Sequence, residues 1–549
     1  MQNMTSSCCI PLTRAPKATP LFLDYLYHYN RVEQFYGGPP QELASFKNVS
    51  TAIASRYPHR IELTEILEQQ NRRFGCGEAT LENIRRLRSN ATFAVVTGQQ
   101  VGLFSGPAFT LYKALSAIRL ARSLTGQGLE CVPVFWLATE DHDLEEIATT
   151  AVLAESGEMV SVTVHGDRAA PGSPVGYARL TGDVEAGLDQ IEQALPEGEA
   201  RTQVMRDLRE CYAAGATWGE AFGRFITRLF GRFGVILIDP LHEPLRPIAQ
   251  PVFLEALREP GHLRSLLERR AAELTAAGYH AQVHVGEDST LLFATSEGAR
   301  TPLAHREDAF YTNDSPRATL AEIEARLRTA PLEFTPSALL RPIVQDTLLP
   351  TVAYIPGPAE LAYFAQAQAI YPEFGRPVPV LFPRASFTLA GRHEQRLMEK
   401  YHLSLDDVWQ GAEHLRRRIA AAGAEGEGTT IWSERMERGE EDLKRFLDGL
   451  TGDAERVDPT LPDAVRNAKD KMLYQLDRLR GKISRAALER SELLTRHERA
   501  LTAHLMPEGK LQERVVSGVN YLGQCGYELL DRLLVQIKPH CLDHQYFVY

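Results

Sequence analysis

Long hydrophobic runs are missing from this sequence. No apolar stretch approaches the roughly eighteen residues that span a bilayer, and the longest, "VPVFWLAT" and "GVILI", have the length of buried strands. A membrane partner is therefore not expected. The amino terminus, "MQNMTSSCCIPLTRAPKATP", lacks the apolar centre of a signal peptide, so a cytoplasmic location is expected. Dense basic runs are scarce as well. The 60 Lys and Arg against 71 Asp and Glu leave a net charge of −11, and only Arg416 to Arg418 and a stretch near residue 480 are locally basic. Nucleic acid binding usually shows as a basic face, so nucleic acid is not expected as a partner. Cysteine is sparse and odd in number, seven scattered over 549 residues, which is not a disulfide framework. Cys525, His540, Cys541 and His544 do crowd near the carboxyl terminus. Zinc sites normally offer paired ligands at short spacing, and adjacent His540 and Cys541 point apart in any regular element, so no metal is assigned to them.

The standard nucleotide and nucleophile signatures are absent too. The stretch "VVTGQQVGLFSGPAFTLYK" follows an apolar run with Gly98, Gly102 and Gly106 and leads into a helical pattern. It lacks the Gly-Lys-Ser/Thr end of a phosphate loop, and its glycines are spaced four and four, unlike the dinucleotide fingerprint. No Gly-x-Ser-x-Gly elbow occurs, so covalent catalysis by the protein is not indicated. What remains is strand, glycine loop and helix. Pro107 stands where a helix can begin, and the free amides and positive dipole end of that helix are expected to face the carboxyl edge of a sheet, where open α/β folds bind ligands. Gln99, Gln100, Thr110 and Lys113 are candidate binding residues there.

With 44% hydrophobic and 24% charged residues the chain reads as globular and long enough for several domain-sized units. Short apolar runs alternate with helical stretches, the pattern of an α/β fold with a parallel sheet covered by helices. The strands are expected at 92–96, 132–138, 234–239, 351–355 and 378–382. The second and third are separated by about a hundred residues, and so are the third and fourth, where a crossover needs about a dozen. The core, residues 1–390, is thus expected to carry inserts at about 150–230 and 255–335. The first contains the alternating "MVSVTVHG" and a helix around "GLDQIEQAL"; the second contains "HAQVHVGEDSTLLFAT", which reads as a hairpin around "GEDS". From 391 to 510 charge density rises, and Met472, Leu476, Leu479, Ile483, Ala486 and Leu493 recur at coiled-coil spacing, interrupted by Arg490 and His497. "SLDDVWQGAEHLRRRIAAAG" is the expected antiparallel partner, with "AEGEGTT" as the break; the alternative is that the seam is one long helix packed on the core. An exposed coiled coil favours a homodimer. Residues 511–549 are expected to return to the core.

Other polar residues gather at strand ends. The second strand ends in "TEDHDLEE", setting Glu140, Asp141, His142 and Asp143 at the carboxyl edge. Crowded carboxylates can bind an amine, hold a metal or have a pKa raised for proton transfer, so these four are the candidate catalytic residues. Asp143 and Glu146 also read as an ordinary helix-capping pair. "TVAYIPGPAELAYFAQ" repeats the strand-to-helix corner, with Gly357 and Glu360 at its start. Asp346, Arg384 and Ser386 lie at comparable places, and an arginine there suits a carboxylate or phosphate.

Taken together, "VVTGQQVGLFSGPAFTLYKALSAIRLAR", "PVFWLATEDHDLEE", "LRPIVQDTLLPTVAYIPGPAELAYFAQ" and "PVLFPRASFTL" closely resemble the cysteine-ligase family of bacillithiol biosynthesis, the cysteine-adding enzymes. Ser105 and Pro356 stand where glycine would be expected. The resemblance implies an enzyme that joins the carboxyl group of cysteine to the amine of glucosaminyl malate, the last step to bacillithiol. It also implies a Rossmann-like core with connecting inserts and a coiled coil through which two chains pair. The core would be reminiscent of class I aminoacyl-tRNA synthetases, whose His-Ile-Gly-His type signature is absent here. Amide formation from a free carboxylate needs activation, so ATP or another donor is expected, and with it nucleotide (ADP) binding. Two rivals stand beside this reading: a nucleotide- or sugar-transferring enzyme using a metal at the acidic cluster, and a coiled-coil scaffold with a nucleotide-fold core.

Overall fold

In the computed structural model, residues 8–549 are described except 55, 169, 297, 313–314, 424–429 and 490–491. The five expected runs form one sheet. They are β1 (Phe93–Gln99), β2 (Cys131–Leu137), β3 (Ile236–Ile238), β4 (Thr351–Ile355) and β5 (Val380–Leu381), in the order β5-β4-β1-β2-β3. Every pairing is parallel, with β1 matched to β2 from Phe93↔Cys131 to Gln99↔Leu137. Continuous apolar strands are required because helices cover both faces. Helix α1 (Phe109–Gly126) shows how: Leu111, Leu115 and Ile118 join one apolar cluster, while Ala117, Leu120 and Leu124 join another.

The first insert opens with the hairpin Thr149–Leu153/Met159–Thr163 and continues in helices that include Asp183–Ala194. The second carries α2 (Arg246–Arg258), then Pro260–Ala276 and a separate antiparallel sheet. The hairpin expected around "GEDS" needs correction. Ser289–Ser296 is a strand, but it pairs with the following Ala299–Arg306 and not with residues before the turn. The reason lies in Val283, whose N–H donates to Gln366 Oε1 at 2.8 Å and whose carbonyl accepts from Gln366 Nε2 at 2.9 Å. Both backbone groups that a strand would pair are already taken. Two further helices complete the corner, α3 (Arg341–Leu348) and α4 (Pro358–Ala367), the latter carrying Gln366.

Beyond the core sheet, β6 (Ser386–Ala390) runs parallel to β7 (His544–Val548), and Cys8–Ile10 pairs antiparallel to β7. Between β6 and β7 lie α5 (Ala412–Gly423), α6 (Thr430–Val457), α7 (Leu461–Glu489) and α8 (Glu492–Leu505). The expected partner of the seam also needs correction. The long antiparallel partner of α7 is α6, tied to it by the Lys469–Asp448 and Arg480–Glu440 ion pairs. The stretch assigned from sequence divides into Leu405–Trp409 and α5, and α5 reaches α7 only near its carboxyl-terminal half, where Arg417 meets Asp477 at 2.7 Å. His497 faces Tyr401, whose hydroxyl lies 2.6 Å from Nδ1. Most of the expected break "AEGEGTT", and Arg490, fall outside the described residues. Among the described residues no helix is long and apolar enough to cross a membrane.

Candidate active site

A cavity of about 350 Å³ opens at the carboxyl edge of the sheet, where β1, β2 and β4 hand over to loops and helices. Gly98, next to last in β1, lies where a Cβ would meet Trp136 Cβ at 3.1 Å and its carbonyl oxygen at 3.2 Å, so only glycine lets the two strands approach here. That leaves the Gly98 carbonyl free to accept from Lys113 Nζ at 2.7 Å, while Gln99 Oε1 accepts from the same ammonium at 2.9 Å. The third partner of Lys113 is the Glu360 carboxylate at the start of α4. Glu360 in turn accepts from the Gly357 N–H at 2.7 Å and the Tyr354 hydroxyl at 2.6 Å. Burial lowers the Lys113 ammonium, with Glu360 pulling the other way. For Glu360, burial pushes up, but Lys113 and the Gly357 N–H outweigh it and hold the carboxyl below its ordinary range. Removing one partner of such a buried pair typically costs about 3–5 kcal/mol, so this corner is rigid as well as charged.

Two carboxylates stand on the same lining. Gln100 Nε2 donates to Asp141 Oδ2 at 2.8 Å and to Glu146 Oε2 at 2.7 Å, holding both acids beside the end of β1. Cationic groups complete the cavity. Arg341 donates to the Tyr363 hydroxyl at 2.9 Å and lies over Tyr354. Arg384 is pinned to Glu513 at 2.6 Å and stacks on Phe109. Arg514 carries no side-chain hydrogen bond or ion pair among the described residues, so its guanidinium is available to a ligand. Trp136 also lines the cavity, its indole N–H without an acceptor among the described residues.

Of the residues singled out from sequence, the structure brings Gly98, Gln99, Gln100, Lys113, Asp141, Gly357, Glu360 and Arg384 together here. Others go elsewhere. Gly102 and Gly106 do not line the cavity: a Cβ on Gly102 would meet Gly106 Cα at 2.9 Å, and Gly106 has φ +67°, so the glycines serve a tight backbone crossing. The amino end of α1 is covered rather than open. Ala108 N–H donates to Val516 O at 2.9 Å, Pro107 bridges Ser517, and the helix begins at Phe109 instead of the proline. Thr110 is buried there, its hydroxyl without a partner among the described residues. The acidic run disperses because successive residues leaving a strand point in different directions. Glu140 is buried against Arg246 at 3.0 Å, and burial pushes its carboxyl up despite that arginine. His142 Nδ1 lies 3.1 Å from Arg300, and Asp143 caps the next helical turn through the Glu146 N–H. Asp346 is buried with Tyr371 and Gln345. Ser386 lines a neighbouring cavity and bonds Glu513 and His544. The Cys525, His540, Cys541 and His544 group is dispersed: His544 sits between Ser386 and Thr388, and Cys541 Sγ lies 3.5 Å from Cys9 Sγ. Among the described residues no three metal-ligating side chains converge.

Residues 6–385 match the family described as "Bacillithiol biosynthesis BshC, N-terminal Rossmann-like domain", and residues 387–548 match its "C-terminal coiled-coil domain". The chain belongs to the BshC family. Its Rossmann-like core and helical hairpin are thus family features, and its place is in bacillithiol biosynthesis. Among curated relatives, a protein of Koribacter versatilis named "Putative cysteine ligase BshC" is 37% identical over 540 residues, 98% of each chain. Proteins of the same name from Solibacter usitatus and Salinibacter ruber are 34% and 32% identical, each covering at least 97% of this chain and 99% of their own. Within this BshC chain, the cavity residues missed from sequence include Phe109, Trp136, Tyr354, Tyr363 and Arg514. Tyr363 carried a signal, since it follows Glu360 by three residues on one helix face. Arg514 carried none; it arrives from the far side of the coiled coil.

Proposed function

We propose that this BshC chain is a ligase that forms the amide between the carboxyl group of cysteine and the amine of glucosaminyl malate, giving bacillithiol. The observation that supports it is one cavity that combines Asp141 and Glu146, both bridged by Gln100, with Lys113, Arg341 and Arg514. A sugar ammonium must lose a proton before its nitrogen can attack an acyl carbon. Asp141 and Glu146 are placed to bind that ammonium and accept the proton, and the guanidiniums suit the carboxylates of malate and cysteine. ATP or another activating donor supplies the leaving group. The covered amino end of α1 does not fit a phosphate, and the Gly357 N–H at the start of α4 is taken by Glu360, whereas the Arg384 and Arg514 guanidiniums on the cavity wall suit one. Two chains pair through the α6–α7 hairpin, which exposes apolar side chains, and the enzyme works in the reducing cytoplasm.

The test is mass spectrometry of the full-length protein with cysteine, glucosaminyl malate and ATP, beside Asp141→Asn and Arg341→Met. Bacillithiol formed by the parent and reduced about 100-fold or more in Asp141→Asn supports the reading, since general bases contribute about 10²–10⁴. Undiminished product from both variants removes this cavity from the chemistry. No product with ATP or any acyl-phosphate donor removes the ligase reading itself.

A further inference from the structure

A second cavity, of about 300 Å³, opens at the amino edge of the same sheet, away from the candidate active site. It lies between the start of the helix Arg60–Arg73, α2 and the carboxyl-terminal end of α3, where Thr347 and Leu348 precede β4. Arg60 is only 4% exposed and has no ion pair among the described residues. Its Nη1 donates at 2.9 Å to the carbonyls of Leu87 and Thr92, just before β1, but its Nε and Nη2 have no acceptor among the described residues, and neither does the hydroxyl of Thr347. A buried cation is normally paired, and each unsatisfied buried donor is costly. Three orphaned polar atoms therefore belong to residues lining one cavity. Two more guanidiniums border it: Arg60 and Arg376 lie 5.7 Å and 5.3 Å from the centroid of the Tyr57 ring, and Arg56, which donates to the Gly375 carbonyl, stands alongside. Carboxylates do not balance this charge. Glu255 and Glu373, the latter 3.0 Å from His262, leave two carboxylates against three arginines. Ile248, Val252 and Phe374 supply an apolar floor.

We infer that this amino-edge cavity binds a small organic anion, a carboxylate or phosphate carrying an apolar or ring-shaped part, with Arg56 and Arg376 on the anion and the unpaired charge of buried Arg60 behind them. The site is separate from the proposed ligase chemistry and does not depend on it. Isothermal titration of the full-length protein with phenyl phosphate, benzoate and inorganic phosphate tests it. Phenyl phosphate or benzoate is expected to bind more tightly than inorganic phosphate, and whichever is tighter identifies the head group. Because Arg60 also ties two loops, the localising variants are the more accessible Arg56→Ala and Arg376→Ala, each expected to weaken binding about tenfold. Arg514→Ala, at the other cavity, leaves that binding unchanged. Binding lost in Arg514→Ala but kept in the other two would place the anion at the carboxyl edge and overturn the inference. Absence of heat from all three probes at millimolar concentration would assign the orphaned donors to water and overturn it equally.

Discussion

His544 and Asp346 are buried titratable side chains whose effects on stability oppose one another. Burial lowers His544 from 6.5 to about 4, its two ring nitrogens lying 2.7 and 2.8 Å from the hydroxyls of Ser386 and Thr388. Between those pH values the unfolded chain holds a proton that the folded chain refuses. The contribution of His544 is thus present above about pH 6.5 and lost as pH falls toward 4, by roughly 3 kcal/mol. Burial raises Asp346 from 3.8 to about 6, so here the folded chain holds the extra proton, and stability is lost as pH rises through that window. Relative to the parent, His544→Gln is expected to lose stability as pH rises from 4 to 6, and Asp346→Asn to gain it over the same range, each read from urea midpoints. Parallel profiles for the two variants would contradict the assignment. Asp346 also shows what sequence left illegible about the candidate site. Its place beside "PIVQ" suggested a ligand, but Tyr371 and Gln345 enclose it. Gly98, Lys113, Gly357 and Glu360 were legible because a strand-to-helix corner in an α/β sheet constrains where they go. Glu140 and His142 were not, because one residue of register decides which side of a strand exit a side chain takes.

Glycines have opposite meanings in different elements. In the loop after β1, a Cβ on Gly102 would meet the Gly106 backbone at 2.9 Å, and backbone cannot step aside. Gly102→Ala should destabilise by about 2 kcal/mol or more. Gly449, within α6, is exposed and meets nothing within 4 Å, so Gly449→Ala should stabilise by about 0.5–1 kcal/mol through helix propensity alone. Thermal unfolding of the pair checks both signs. The same glycines explain how elements were read from sequence. The five core strands stood out because each is apolar almost throughout. Helix α6 did not, because Gly439, Gly449 and Gly452 and a run of charges dilute its periodicity, so the seam of α7 was matched to the shorter but more regular stretch that became α5. The hairpin around "GEDS" failed for a different reason. Alternation in "AQVHV" suited a strand, but a single glutamine on α4, remote in sequence, claims the backbone.

At the scale of the whole molecule, the α6–α7 hairpin shows a surface that one chain leaves uncovered. Phe446 is 65% exposed, Val457 80%, Met472 47% and Leu479 46%. Phe446 and Leu450 are four residues apart and Leu450 and Val457 seven, as are Met472 and Leu479, so each helix lines up its exposed apolar side chains along one stripe. Single exposed apolar residues are ordinary on a surface, but stripes repeated on both arms of a hairpin are the usual mark of a covered face. A second copy fits because its own hairpin offers the same stripes, which a two-fold axis can bring into register. The chain is therefore expected to sediment at twice its monomer mass. Aspartate at Phe446 and Leu479 would have to be desolvated in that contact, and the doubly substituted chain should dissociate at least about tenfold more readily. Its circular dichroism should be unchanged, since both positions are exposed in the single chain. A parent that sediments as a monomer across micromolar concentrations would refute the pairing. A double variant that stays dimeric would move the contact to another face.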